Sequence, residues 1–396
     1  MNNQNVFALS GDYGYINPIT TTIKSVLYNN PHSRIYIVNS DIPQEWFKAF
    51  NYQLRDSDNE VIDLKIEESY LDQEHVGLDH IHPIAYGKIL LPDLLSEDRV
   101  IYLDSDLIIN DDLSSLFSLD LQDHPIACAQ DVDENNGHFN TGVIVYDLKK
   151  ARSIPNLVHD ELQLGQDPAL RNADQDVMNA YFGDDFLQLP LEYNYQIGMD
   201  WVAFYSRHNY FYQLMDPIHH PKIIHYLTPD KPWKTVSSSR LRQLWWQYFT
   251  LSISEIIQHK PLPKLDPPFK GQFFTFLTTQ NMGQLPQLIQ AMPDYQFNIA
   301  AWSEFGEPVM KLIAAPNVHL YPMINGPQLD HLIETCDAYL DVNEDNKERK
   351  AIDPFEQKQK PIFSFANVAD NVHNYSQYHT FAPDQLAAMV QQLKQL

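Results

Sequence analysis

The chain has 396 residues, more than one hydrophobic core ordinarily serves, so two domains are expected. Its 52 acidic residues outweigh 27 basic ones, and the formal net charge of -25 repels phosphate backbones, so no nucleic-acid partner is expected. Hydrophobic residues make up 44% of the chain in short clusters, enough for a sizeable core but never in the roughly 18 consecutive positions of a membrane span.

Residues 1–6 are polar and lack the apolar segment of a secretory signal. The only cysteines, Cys128 and Cys336, stand far apart, so a disulfide is not expected and a cytoplasmic location is. In chain order, segments 6–10, 34–39, 100–104 and 126–130 read as strands, with helices over 18–29 and 85–95. Strands separated by helices imply crossover connections, a mostly parallel sheet covered on both faces, and the α/β class. Such sheets bind ligands at the carboxyl ends of their strands. Four prolines within residues 260–270 forbid regular structure and mark a linker at 261–271, between a first domain at 1–260 and a second at 272–396. Beyond it the alternation restarts with strands at 272–277 and 296–301 and a helix at 283–291, and segments 318–321, 328–334, 338–342 and 361–363 continue it. A helix at 383–395 closes a smaller α/β domain with its own sheet.

The chemistry begins where the apolar strand at 100–103 ends in Asp104-Ser105-Asp106. Two carboxylates one residue apart at a strand end can share a divalent cation, and hard oxygen ligands favour Mn2+ or Mg2+. Read alone, such a pair is more often a turn cap, and its position after a buried strand is what points to a cation. His225, in His225-Tyr226-Leu227-Thr228-Pro229-Asp230-Lys231-Pro232-Trp233, offers an imidazole for the same ion, and Lys231 an ammonium for a departing diphosphate.

Taken together, these residues resemble the retaining glycosyltransferase family that includes glycogenin and the bacterial lipooligosaccharide galactosyltransferases, glycosyltransferase family 8, with a GT-A fold. The likeness covers about residues 6–233 in five ordered motifs. It implies that Asp12 contacts the uracil of a UDP-sugar and Tyr15 stacks on it, though Tyr15 also suits a core aromatic under a loop. Lys88, in Tyr86-Gly87-Lys88, stands where arginine is common and would contact the donor without the bidentate fork. In Phe139-Asn140-Thr141-Gly142, Asn140 would face the donor sugar and Gly142 would let the backbone approach closely. Asp174-Gln175-Asp176 opens a helix, with Asp174 suited to an N-cap and Gln175 nearest the sugar. The resemblance implies Asp104, Asp106 and His225 as metal ligands.

Gln175 carries a neutral amide, a poor nucleophile, and the resemblance implies no well-placed carboxylate beside the sugar. Attack from the face of the leaving group is then expected, with the metal, Lys231 and His225 stabilising the departing charge. One departure from the family pattern is Thr228 in place of a glycine whose amide approaches the β-phosphate. Its Cβ would crowd the phosphate, or its hydroxyl would replace the contact.

Residues 234–264 hold Arg240, Arg242, Trp245, Trp246, Tyr248 and Phe249, read as a helix packing its tryptophans at the domain boundary or touching a membrane or acidic partner. The histidine-rich segment 75–82 is either solvated or in contact with the acceptor. Beyond 271, Val318-His319-Leu320-Tyr321-Pro322 and the run from Cys336 to Asn343 resemble the nucleotide-binding lobe of GT-B glycosyltransferases that decorate serine-rich bacterial adhesins. Half of such an enzyme implies an accessory module for oligomerisation or acceptor recognition. The expected function is transfer of a hexose from UDP-glucose, UDP-galactose or UDP-N-acetylglucosamine to a glycan, with a serine-rich surface glycoprotein as the acceptor that likeness points to. A transferase for lipopolysaccharide or teichoic acid, or a non-catalytic nucleotide-sugar-binding subunit, is the alternative.

Overall fold

The structure, a computed structural model, describes residues 4–67, 83–132, 137–207, 209–237, 239–344, 346–370 and 375–396. The predicted acceptor segment 75–82 lies outside them. The chain divides into two compact units: Met1–Met199, His208–Pro232 and Gln243–Pro263 form the first, and Asp200–Arg207, Trp233–Arg242 and Lys264–Leu396 the second.

The strands of the first unit are β1 (Asn5–Ser10), β2 (Ser33–Asn39), β3 (Glu60–Lys65), β4 (Arg99–Leu103), β5 (Leu107–Ile109), β6 (Ile126–Gln130), β7 (Phe139–Asp147), β8 (Leu187–Leu189), β9 (Tyr195–Ile197) and β10 (Ile223–Tyr226). Seven form a sheet in the order β3-β2-β1-β4-β7-β6-β8, and β5-β10-β9 form a smaller one. In the large sheet only β7 runs against its neighbours β4 and β6. The carboxyl ends of β1, β4 and β6 therefore share one edge with the start of β7. Nearly every residue of β4 and β7 is buried, as expected of central strands covered on both faces.

The helix Ile16–Asn29 buries Ile19, Ile23, Val26 and Leu27 along one stripe. It also anchors the turn after β4, because the Thr22 hydroxyl reaches both Ser105 O at 3.0 Å and Leu107 O at 2.8 Å. The helix predicted over 85–95 is instead a 3-10 turn, Pro83–Lys88, followed by a short helix, Leu91–Leu94. Gly87 and Pro92 break it: the first favours other backbone shapes and the second lacks an N–H. Gly87 also lets the turn lie against the sheet, since a Cβ there would come within 2.9 Å of Val38 Cγ1. The aromatic stretch forms the helix Arg242–Thr250, which buries Trp245 and Tyr248, with Trp245 stacked on Phe249. Arg240 lies outside this helix and pairs with Asp200 at 2.5 Å.

The second unit carries β11 (Gln272–Phe276), β12 (Gln296–Ala300), β13 (Val318–Tyr321), β14 (Ala338–Asp341), β15 (Ile362–Phe365) and β16 (Tyr378–Phe381). They form an all-parallel sheet in the order β13-β12-β11-β14-β15-β16. Phe273 enters one core cluster with Leu285, Leu288 and Met389, while Phe274 and Phe276 enter another with Leu329, Leu332 and Phe355. That split follows the two-residue period of a strand buried on both faces. Residues 261–271 contain no helix or strand. Cys128 and Cys336 are both buried and free. Among the described residues no helix is long and apolar enough to cross a membrane.

Candidate active site

A cavity of about 360 Å³ opens at the edge where β1, β4 and β6 end. Asp104 leaves β4 with its N–H donated to Gly142 O at 2.8 Å, and Ser105 turns inward to donate to Ser10 O at 2.7 Å. With Ser105 turned in, both flanking carboxylates face the cavity. Lys88 Nζ at 3.0 Å and the Tyr102 hydroxyl at 2.9 Å hold Asp104 Oδ1. Lys231 Nζ holds Asp106 Oδ2 at 2.6 Å and also reaches Tyr226 O at 2.6 Å.

The two remaining oxygens turn to His225, which β10 brings opposite Leu107. His225 Nε2 lies 3.3 Å from Asp106 Oδ1 and 3.9 Å from Asp104 Oδ2, and all three ligand atoms fall within 4.8 Å of one another. Burial works against the Asp106 charge, but Lys231 and His225 hold its carboxyl far below the usual carboxylate range. Gly142 also makes room for a side chain. A Cβ at that position would overlap Cε1 of the His225 ring, so only glycine leaves the imidazole its place.

Lys88 is 1% exposed, and its ammonium meets Asp104, Asp174 Oδ2 at 2.6 Å and Thr141 O at 3.2 Å. Burial opposes its charge, but Asp104 and Asp174 more than compensate and hold it above the ordinary lysine value. A donor phosphate would have to displace one of these partners. Asp174 is not the N-cap of its helix. The helix is Ala173–Phe182 with Asn172 at the cap position, and Asp174 sits buried in its first turn, accepting from the Thr141 hydroxyl at 2.9 Å.

On the other flank, Asp12 accepts from Tyr15 N at 3.2 Å and so caps the turn Tyr13–Tyr15. Tyr15 lines the cavity, and burial first, then Asp106, Asp12 and Asp104, push its hydroxyl up to about 12. Thr228 lines it too, with φ 66°, a left-handed conformation costly for a β-branched residue and natural for the glycine expected there. Its Oγ1 is buried without a hydrogen-bond partner among the described residues.

Asn140 and Gln175 meet at the cavity, where Asn140 Nδ2 donates to Gln175 Oε1 at 3.0 Å. Two residues that sequence reasoning missed complete this floor. Asp131 Oδ2 accepts from Gln175 Nε2, so a carboxylate stands beside Gln175 where none was implied. Asn194, fully buried, bridges His225 and Asn140. Asp131 carried a usable signal, because like Asp104 it directly follows a buried strand on the same sheet edge. Asn194 carried none.

Residues 6–237 match the model of glycosyl transferase family 8, and residues 274–396 match the GftB/GlyA-F C-terminal domain. The chain belongs to glycosyl transferase family 8. It is 31% identical over 394 residues to glycosyltransferase GlyE of Streptococcus pneumoniae serotype 4, covering 97% of this chain and 96% of that protein. It is 34% identical to glycosyltransferase GlyD of the same organism over 90% of this chain but only 45% of that protein, so it spans less than half of GlyD. A 104-residue stretch, 26% of this chain and 24% of that protein, is 35% identical to the UDP-N-acetylglucosamine–peptide N-acetylglucosaminyltransferase stabilizing protein GtfB of Streptococcus agalactiae. The crystal structure of GlyE superposes with a TM-score of 0.57 at 30% identity, covering 100% of this chain and 99% of that one. The galactosyltransferase LgtC, solved with donor and acceptor sugar analogs, gives 0.54 at 19% identity over 64% of this chain and 99% of its own. The family-8 chain thus has the GT-A fold in its mixed sheet, followed by a second α/β domain.

Proposed function

We propose that the chain transfers a hexose from a UDP-sugar to a glycan acceptor with retention, using Mn2+ or Mg2+ held by Asp104, Asp106 and His225. The observation that carries this reading is the division of labour at the cluster: each carboxylate gives one oxygen to a lysine and turns the other toward His225 Nε2. Two hard carboxylate oxygens and an imidazole nitrogen within 4.8 Å of one another are a donor set that fits a small divalent cation such as Mn2+ or Mg2+. Bound there, the ion would supply positive charge to the departing diphosphate.

This chain's own groups divide the rest of the donor. Asp12, Tyr15, Thr228 and Lys231 line the same cavity; in this reading the first two would hold the uridine, and the unpartnered Thr228 hydroxyl and Lys231 the diphosphate. Lys231 holds the Asp106 oxygen that faces away from His225, so its ammonium stands beside the cluster where it would meet the charge of the leaving group. Gln175 is a poor nucleophile with both ends of its amide engaged, and its NH2 takes up Asp131 Oδ2, the carboxylate oxygen beside it; both features support attack from the leaving-group face. Asp174 acts through Lys88 rather than on the sugar.

In this reading residues 1–260 are catalytic, 261–271 a linker, and 272–396 an accessory domain for acceptor recognition or oligomerisation. The GftB/GlyA-F domain match and the GtfB likeness support protein glycosylation over lipopolysaccharide or teichoic acid as the setting. A screen of UDP-glucose, UDP-galactose and UDP-N-acetylglucosamine hydrolysis with Mn2+ tests it, alongside Asp104→Asn and Asp106→Asn. Turnover should vanish with a chelator and fall at least 100-fold in either variant. A wild-type protein that binds these donors but turns over none of them would instead favour a non-catalytic nucleotide-sugar-binding subunit.

A further inference from the structure

A continuous chain of amides joins the cation cluster to Gln175. His225 Nδ1 lies 3.0 Å from Asn194 Oδ1, and Asn194 Nδ2 donates to Asn140 Oδ1 at 2.8 Å. Asn140 Nδ2 then donates to Gln175 Oε1 at 3.0 Å, and Gln175 Nε2 to Asp131. Asn194 is 0%, His225 2% and Asn140 4% exposed, so water cannot substitute for a misdirected partner along the inner half.

The direction of every amide can be traced from end to end. At one end the Gly142 N–H, which can only donate, lies 3.0 Å from Asn140 Oδ1. That atom is an acceptor, so Asn194 must face it with its NH2 and face His225 with its carbonyl. A carbonyl can only accept, so His225 Nδ1 must carry a proton. At the other end Gln175 Nε2 donates to Asp131 Oδ2 and Gln175 Oε1 accepts from Asn140, which agrees with the arrangement set by Gly142. Reversing one amide would set like groups face to face in a buried place, an expensive mismatch.

We infer that Asn194 is a positioning residue: by accepting a hydrogen bond from the protonated Nδ1 of His225 it reserves Nε2 for the cation, and through Asn140 it ties that site to the orientation of Gln175. This rests on the cation reading above. Histidine ligands are commonly fixed by a hydrogen bond from their other nitrogen, and removing that partner typically weakens metal binding about 10- to 100-fold. Here the partner is an amide that also has a second duty, so the two duties separate by substitution. Asn194→Leu removes both. Asn194→Asp keeps an acceptor for Nδ1 and puts a second acceptor in place of the donor to Asn140, so it breaks only the link to Gln175.

The test uses the full chain labelled with 15N in histidine, with His225→Gln to assign the ring signals. In the Mg2+-loaded wild type, Nδ1 of His225 should be protonated and Nε2 not. Mn2+ affinity, read by electron paramagnetic resonance, should weaken at least tenfold in Asn194→Leu and stay within about threefold in Asn194→Asp. An unprotonated Nδ1 in the wild type would overturn the inference, and so would equal losses of Mn2+ affinity in the two variants, which would mean Asn194 only fills space. Should Asn194→Leu fail to fold, the wild-type spectrum and the aspartate variant still decide. A wild type that binds no Mn2+ yet keeps a protonated Nδ1 would sink the cation reading while supporting the hydrogen-bond chain.

Discussion

Lys88 and Lys231 each hold one oxygen of a cluster carboxylate, and that leaves the other oxygens and His225 Nε2 to converge. At this scale small residues matter as much as charged ones. Gly142 seats the His225 ring, so Gly142→Ala should push the imidazole away and weaken Mn2+ binding at least tenfold without unfolding the protein, as paramagnetic resonance and circular dichroism would report. Retention of wild-type Mn2+ affinity in that variant would mean that His225 is not a ligand. Thr228 makes a two-sided prediction from its φ of 66° and its unpartnered hydroxyl. Thr228→Gly should stabilise the protein by about 1–2 kcal/mol in urea unfolding, because a left-handed conformation suits glycine. Thr228→Val keeps the strain but loses the donor, and should weaken UDP binding about tenfold by titration calorimetry.

At the scale of elements, the helix Ile16–Asn29 does more than cover the sheet. Thr22 ties it to the turn that carries Asp104 and Asp106, and Lys24 ties it to the helix Arg242–Thr250 by donating to Phe249 O at 2.7 Å. Burial lowers the Lys24 ammonium from 10.5 to about 8, against the pull of Glu255. Between those values the unfolded chain still holds the proton that the folded chain has released, so stability should rise with pH across that window. The difference in urea midpoint between wild type and Lys24→Met should therefore move in favour of wild type from pH 8 to about 10.5. A flat difference would mean that Lys24 keeps its proton in the folded state. The strand ends and this helix were readable beforehand, because buried β-branched runs and a four-residue apolar stripe are local patterns. The segment 85–95 was misread because its apolar spacing looks helical, while Gly87 and Pro92 set a turn that lays Lys88 beneath the cluster.

For the whole molecule, the two units carry separate sheets, and every residue that lines the cavity belongs to the first. A chain ending at Pro263 should therefore still bind UDP with Mn2+ within about threefold of the full chain, while losing efficiency toward a glycan acceptor. Calorimetry with UDP, on a truncated protein whose circular dichroism shows it folded, checks the first half. Loss of UDP binding in that folded protein would show that the second unit helps build the donor site.

The sequence by itself determined the α/β class, the position of Asp104 and Asp106 at a strand end, and the family, since these depend on residues close together in the chain. It also offered His225 and Lys231 as candidates, and the resemblance to the family added Gln175. Only the tertiary structure decided what those side chains do to one another. Asn194 and Asp131 join the site through partners 31, 54 and 44 residues away, and Gly142 is required by the ring of His225, which lies in a distant strand. The lysine roles likewise depend on which oxygen of each carboxylate faces inward. Local periodicity reports burial and direction along one segment, whereas hydrogen-bond polarity and ring packing between distant segments are fixed only when the sheet brings their ends together.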